Sequence, residues 1–262
     1  MMKLYDMELS GNCYKIRLFC ALLGLDCESV AVDLFKGEQK SAAFLQLNPR
    51  GQVPVLDDGG TVVWDSMAIL VYLAKKYGGE SWLPGEAEAL ARVMQWLALS
   101  ENEILYGLAR ARVIKLFNRP GDLAQCQQLG KAGLAVLESR LANGSWLAGD
   151  GPTIADIACY PYVALAPEGD VALDDYPKCG NGSPASRLCP VTSGCRDYDG
   201  HGRAQCGLDA ALVPPHRTGG RLVDPGNPQS DPAAGGDLFR RRPAGGRFDA
   251  KAGLRRVAWR PA

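Results

Sequence analysis

The sequence predicts two unlike domains in series: an α+β sheet domain over residues 1–79 and an all-helical bundle over residues 86–178. Three observations carry this. Short strand-like runs alternate with helical periodicity as far as Gly79, strand-like alternation is absent from Gly85 onward, and the composition changes again at Lys178. The chain has 262 residues, enough for two ordinary domains. Its formal net charge of zero hides a cancellation, because residues 1–178 carry 16 Lys+Arg against 22 Asp+Glu and residues 179–262 carry 13 against 7. The second segment has one Lys, twelve Arg, no Glu and no Ile, and Gly plus Pro make up 23 of its 84 residues. Such a composition belongs to unpacked, low-complexity chain, so residues 179–262 are expected to be a disordered tail.

Each element follows in order. Residues 3–7 read as a short strand. Ser10-Gly11-Asn12 gives a turn and a cap, and residues 13–23 carry helical periodicity up to a stop at Gly24. Residues 27–34 alternate toward a second strand, through Val30, Val32 and Leu34. Residues 51–56 form a strand interrupted by Pro54. Asp57-Asp58-Gly59-Gly60 is a hairpin turn, and residues 61–64 are its return strand. Residues 66–77 form a strong helix that ends at Gly78-Gly79. The order β-α-β-(α)-β-β-α fits a thioredoxin-type sheet. Beyond it, residues 86–115, 123–141 and 154–165 all have helical spacing. Thr153 and Asp156 make a capping box, which we read as a structural helix start.

Several function classes are excluded. Residues 1–10 include acids and lack an apolar run, so no signal peptide is expected, and no apolar stretch is long enough for a membrane span. Five cysteines (13, 20, 27, 126 and 159) fall before residue 179 without CxxC spacing. Cys13, Cys20 and Cys27 recur seven apart, which suits one helical stripe and its continuation. Reduced thiols in a cytoplasm are therefore expected. Both histidines, His201 and His216, lie in the tail. Residues 1–178 thus have no Ser-His or Cys-His nucleophile and no His-ligated metal, and no metal is expected.

Three local features carry chemistry. Proline within an apolar strand removes a ladder donor. A cis Val53-Pro54 bond makes sense of it, turning the Val53 backbone outward toward an extended ligand peptide; a trans proline on an edge strand is the alternative. Asp65 or Ser66 caps the helix of residues 66–77, where backbone N–H groups favour a carboxylate and Asp65 is free to meet an ammonium. Plain capping is the competing reading. Ser10 opens the first helix, where its hydroxyl and the terminal amides are placed to stabilise a thiolate, or simply to cap.

Together, the strings Val32–Ser41, Phe44–Leu56 and Asp65–Leu73, with Gly149–Ile157 in the helical half, resemble the cytosolic glutathione S-transferase family, nearest the theta-like and bacterial serine types. The resemblance covers about residues 1–178. It implies a thioredoxin-like glutathione-binding domain followed by a helical domain, with glutathione as co-substrate, no metal, a small electrophile as second substrate, and a cytoplasmic homodimer that engages neither nucleic acid nor membrane. By position, Ser10 matches the activating hydroxyl, with Asn12 and Cys13 as possible secondary groups. Val53 beside Pro54 would pair with the cysteinyl moiety, Asp65 and Ser66 would hold the γ-glutamyl end, and Gln39, Lys40 and Gln52 would reach the glycyl carboxylate. Because position 10 is serine, a dithiol cycle with Cys13 is excluded. Trp96, Tyr106, Arg110, Arg112 and Phe117 are weaker candidates for lining a second-substrate cleft, since an aromatic at helical spacing usually belongs to a core and an arginine usually faces solvent. Within the family's range lie conjugation, isomerisation, dehalogenation and peroxide reduction; a non-catalytic binding protein of the same fold is the reading from another class.

The tail adds a separate expectation. Read one base earlier, with G as the last base of Lys178, the degenerate code permits Val-Arg-Gln-Trp-Leu-Ala-Arg-Val-Ala-Ala-Leu-Pro-Gly, an amphipathic string. The same frame permits a stop across Tyr198 and Asp199. We therefore expect a frame change near Lys178. A genuine basic, nucleic-acid-binding tail is the rival, weakened by scattered arginines and few aromatics. Genomic sequence across codon 178 decides between them: an uninterrupted frame in independent isolates ends the frame-change reading.

Overall fold

The computed structural model describes residues 1–180. The expectations for residues 181–262, including the changed frame, lie outside the described residues.

Alternating burial builds the sheet. In β1 (Met2–Asp6) the side chains of Met2, Leu4 and Asp6 point inward and those of Lys3 and Tyr5 are half-buried, as a period of two requires. β1 pairs in parallel with β2 (Cys27–Ala31) and antiparallel with β3 (Val55–Asp58), which pairs antiparallel with β4 (Thr61–Trp64). The strand order is β2-β1-β3-β4, with Leu4 opposite Leu56 and Val55 opposite Trp64. The β-α-β crossover between the parallel strands β1 and β2 is α1 (Gly11–Leu22). A 3-10 turn (Glu38–Lys40) and α2 (Ala42–Leu47) lead toward β3, and α3 (Ser66–Leu73) follows β4 and runs into a π turn (Ala74–Gly78).

Two expected strands are shorter than the apolar pattern suggested. The strand expected at 51–56 begins at Val55, because Pro54 has no N–H to give the ladder. The one expected at 27–34 stops at Ala31, although Val32 N–H still donates to Asp6 C=O at 2.8 Å.

The helical half is α4 (Ala87–Leu99), α5 (Arg110–Phe117), α6 (Leu123–Ala142) and α7 (Ile154–Ala164). Residues 86–115 were expected as one regular helix. The rod is continuous, but Ser100–Ala109 winds as a π-helix between α4 and α5, a rare form that recurs at functional sites. It crosses α6 at two glycines: a Cβ on Gly107 would lie 2.3 Å from Gly130 N. Only a bare backbone fits there.

One hydrophobic core joins both halves. Ile16 and Phe19 of α1, Ile69 and Leu70 of α3, Trp82, and Ile154, Ile157 and Tyr162 of α7 all belong to it. Phe19 meets the Trp82 ring edge-on at 5.0 Å. A smaller core of Val32, Phe44 and Val55 sits on the other side of the sheet.

Cys13, Cys20 and Cys27 do not form one stripe. The first two are buried on α1 and the third, half-buried, opens β2. All six described cysteines are free thiols. The last described residues run onto an apolar groove lined by Leu137, Leu141, Leu147, Tyr160, Val163 and Cys179. Among the described residues no helix is long and apolar enough to cross a membrane.

Candidate functional site

Three segments converge on one cleft. Ser10 is the N-cap of α1, with extended φ −78° and ψ 117°, and its Oγ accepts from Cys13 N–H at 3.3 Å. In that geometry the hydroxyl proton is not used in capping, and the positive end of the helix lies behind it. The Val53-Pro54 peptide is cis, as the sequence suggested. The loop ahead of it is pinned by the buried Asn48, whose Nδ2 donates to Gln52 C=O at 2.7 Å and whose Oδ1 accepts from Arg50 N–H at 2.9 Å. Asp65 caps α3. Its Oδ1 accepts from Met67 N–H (3.0 Å) and Ala68 N–H (3.4 Å), and its Oδ2 meets Arg50 Nη1 at 3.2 Å. Asp65 has φ 81°, a left-handed value that costs a non-glycine residue of order 1–3 kcal/mol and collects at ligand sites.

The cleft has a volume of about 380 Å³, within the ~300–1,000 Å³ range of small-molecule sites. Of the residues singled out from the sequence, Ser10, Asn12, Gln39, Gln52, Val53, Pro54, Asp65 and Ser66 line it. Lys40 does not; its Nζ donates to Arg50 C=O at 3.0 Å. Nor does Cys13, which is wholly buried, with its thiol pushed up to about 12 by burial and then by the nearby Asp6 carboxylate. A thiol held neutral in the interior has no role as a secondary nucleophile.

The helical half supplies the opposite wall: Glu101, Leu105 and Tyr106 of the π-helical segment. Of the weaker candidates, Tyr106 lines the cleft. Trp96 packs on the core, and Phe117 meets Phe35 edge-on at 5.5 Å. Arg112 was expected to face solvent and is instead buried, donating through Nε to Glu168 at 2.5 Å and through Nη1 to the Leu9 carbonyl at 2.6 Å. It braces the backbone just before Ser10. Sequence reasoning missed Asn48, Arg50 and Glu101. Only Asn48 and Arg50 left a signal, as polar residues next to the Pro54 motif; nothing in the helical periodicity marks Glu101.

Three buried oxygens at this cleft, Asn12 Oδ1, Gln39 Oε1 and Glu101 Oε1, have no hydrogen-bond partner. Buried polar atoms are rarely left so. Their number here fits an extended polar ligand with several donors. Of the lining residues, Arg50 is the single cation, at the Asp65 end. Among the described residues no group of three or more His, Cys, Asp or Glu side chains is placed to hold a metal ion.

Comparison with known proteins gives the same picture from outside. The family profile described as "Glutathione S-transferase, N-terminal domain" matches residues 1–75, and the one described as "Glutathione S-transferase, C-terminal domain" matches residues 120–179. A maleylacetoacetate isomerase of Pseudomonas aeruginosa is 36% identical over 186 residues, which cover 68% of this chain and 87% of that protein. The crystal structure of a glutathione S-transferase from Pseudomonas fluorescens superposes with a TM-score of 0.66 at 36% identity, covering 76% of this chain and 98% of that one. A glutathione transferase homolog from Drosophila mojavensis, solved with bound glutathione, gives 0.61 at 26% identity over 68% of this chain and 83% of that one. A thioredoxin-type sheet, a helical second half and a cleft between them built at the starts of α1 and α3 thus come with extended similarity in sequence, and the chain belongs to the glutathione S-transferase family.

Proposed function

We propose that the cleft binds glutathione as an extended tripeptide along the Val53-Pro54 segment and that Ser10 stabilises its thiolate for attack on a small electrophile. The observation that carries this is the placement of Ser10 Oγ at the start of α1 in the cleft that also holds Val53, Asp65 and Ser66. In this reading the Val53 backbone pairs with the cysteinyl unit. Asp65 and Ser66, at the start of α3, take the γ-glutamyl end, and Gln39 and Gln52 reach toward the glycyl carboxylate. Lys40, bonded to the Arg50 carbonyl, acts by holding that loop and by its charge.

A free thiol titrates near ~8.5, so only a few per cent is thiolate at neutral pH. A donated hydroxyl hydrogen bond and the positive end of α1 both favour the anion, each pKa unit of lowering being worth about 1.4 kcal/mol. The proton leaves to solvent. The sulfur then forms a bond to the electrophilic carbon while the leaving group departs with its electron pair. Tyr106 and Leu105 supply an apolar wall for that second substrate.

Ser10→Ala tests the assignment. Conjugation of glutathione to a chlorodinitrobenzene should slow about 10²-fold in kcat, the loss typical of one preorganised donor, with the KM for glutathione within about twofold. An unchanged kcat removes Ser10 from the mechanism.

A second reading, isomerisation, is favoured by the name of the Pseudomonas aeruginosa relative. There the thiolate adds to a cis double bond and is expelled after rotation, so glutathione is regenerated rather than consumed. Measuring glutathione alongside a maleyl-type acid separates the two.

We also infer a cytoplasmic homodimer with a role in detoxification. Support for the dimer comes from Val62 and Trp64, exposed on one face of the edge strand β4; support for the cytoplasm comes from the free thiols. Sedimentation at a monomer mass would end the dimer reading.

A further inference from the structure

Lys15 sits on α1 with none of its surface exposed. Lysine is almost never so placed unless a partner charge holds it. Its Nζ lies 3.3 Å from Ser100 Oγ, 4.0 Å from Glu101 Oε1 and 5.4 Å from the centre of the Tyr162 ring. Ser100 cannot be the counter-charge: it is a neutral hydroxyl and already donates its proton to Ala158 C=O at 2.8 Å. Among the described residues, the carboxylate within ion-pair distance of Lys15 is Glu101. Glu101 reaches the other way as well. It lines the cleft together with Asp65 and Arg50, while its Oε1, the oxygen nearest Lys15, is buried without a hydrogen-bond partner.

We propose that Lys15 is a positioning residue of the glutathione site: its buried ammonium holds the Glu101 carboxylate in the cleft wall, where Glu101 and Asp65 together receive the α-ammonium of the γ-glutamyl ligand. This rests on the glutathione reading above and adds to it a residue that never touches the ligand. Two carboxylates face this end of the cleft, and Arg50 is already committed to Asp65. An incoming ammonium meets two carboxylates already held in position, Asp65 by Arg50 and Glu101 by Lys15.

The electrostatics agree in direction. Burial lowers Lys15 to about 8, while Glu101, Cys159 and Asp65 work against that fall. Burial raises Glu101; Lys15 lowers it and Asp65 raises it further. The titratable groups facing Lys15 are Glu101 from the π-helical segment, Cys159 and Tyr162 from α7, and Asp65 from the start of α3. Cys159 and Tyr162 are each pushed up to about 12 by burial and stay neutral in the relevant range. Glu101 and Asp65 are therefore the anions that sense Lys15. As Lys15 loses its proton above about pH 8, Glu101 loses its holder and ligand affinity should fall.

Burial costs the Lys15 ammonium more than its neighbours return, and Glu101 keeps contact with solvent, so an apolar side chain of similar shape should be tolerated at position 15. Stability and affinity should thus move apart in Lys15→Met. We expect that variant to melt no lower than the parent, yet to raise the KM for glutathione about tenfold, equal to about 1.4 kcal/mol, with kcat within about twofold. Glu101→Gln should do the same, and the double variant should do no worse than either alone, since both act through one contact. The parent's KM should climb above pH 8 more steeply than that of Lys15→Met, and Lys15→Arg should restore a low KM without the extra climb. An unchanged KM and pH profile in Lys15→Met, or a double variant whose effects multiply to about a hundredfold, overturns the proposal. Should calorimetry show that the parent chain itself does not bind glutathione, the underlying functional reading fails with it; binding by the parent with indifferent Lys15 and Glu101 variants sinks this proposal alone.

Discussion

The starts of α7 and α1 use the same device for opposite ends. At α7, Thr153 Oγ1 accepts from Ala155 N–H, and the buried Asp156 carboxylate accepts from Thr153 N–H (2.9 Å), Thr153 Oγ1 (3.2 Å) and Leu147 N–H (3.0 Å). Both carboxylate oxygens are taken. Nothing remains to offer a ligand, and the motif locks the turn before α7 into the core. At α1, Ser10 makes a single cap bond of 3.3 Å and keeps its proton, while the neighbouring Asn12 Oδ1 is buried without a partner. A sealed cap stabilises. An open one, facing a cleft, is available for chemistry.

The largest expected effect breaks the sealed cap. Asp156→Ala strips three buried donors of their acceptor and should cost about 3 kcal/mol in chemical denaturation, without a specific change in the KM of whatever enzyme remains folded. Ser10→Ala comes next and should show the reverse profile: about 10²-fold in kcat but only about 1 kcal/mol of stability for the lost cap. If both variants lost stability alone, the contrast between the two caps would collapse. Asp65→Asn sharpens it further. The amide oxygen can still cap α3, so stability should stay within about 0.5 kcal/mol, while the KM for glutathione rises about tenfold through the lost charge. The smallest effect concerns Lys15. Its folded pKa of about 8 lies below the ordinary 10.5, so between those values the unfolded chain binds more protons and stability should rise with pH. Lys15→Met should remove this slope in denaturation measured from pH 8 to 10.5, which runs opposite to the expected loss of ligand affinity over the same window.

Much of the sheet half could be read from the sequence because its signals are local. Gly24, Pro54 and the Gly59-Gly60 turn punctuate it, although Asp57 and Asp58, expected in that turn, belong to β3, and Ser10 and Asp65 open their helices as short polar residues do. The capping box at Thr153 and Asp156 was legible for the same reason. Other features are not local. Lys15 repeats no pattern that marks a buried charge, and Arg112 reads as an ordinary surface arginine until Glu168 and the Leu9 carbonyl, far away in sequence, are brought to it. The π-helical winding of Ser100–Ala109 was likewise hidden, since apolar spacing scarcely distinguishes it from a regular helix over three turns.

By itself the sequence determined the order of the main elements, the helix caps at Ser10, Asp65 and Thr153, and the interruption at Pro54, since each depends on backbone chemistry within a few residues. Only the tertiary structure decided which of those caps stays open, that Cys13 turns inward while Ser10 faces the cleft, and that Glu101 crosses from the helical half to stand beside Asp65. Those outcomes depend on which groups lose water and which partners arrive from distant segments, and a buried charge or an unpaired oxygen acquires its meaning from those neighbours.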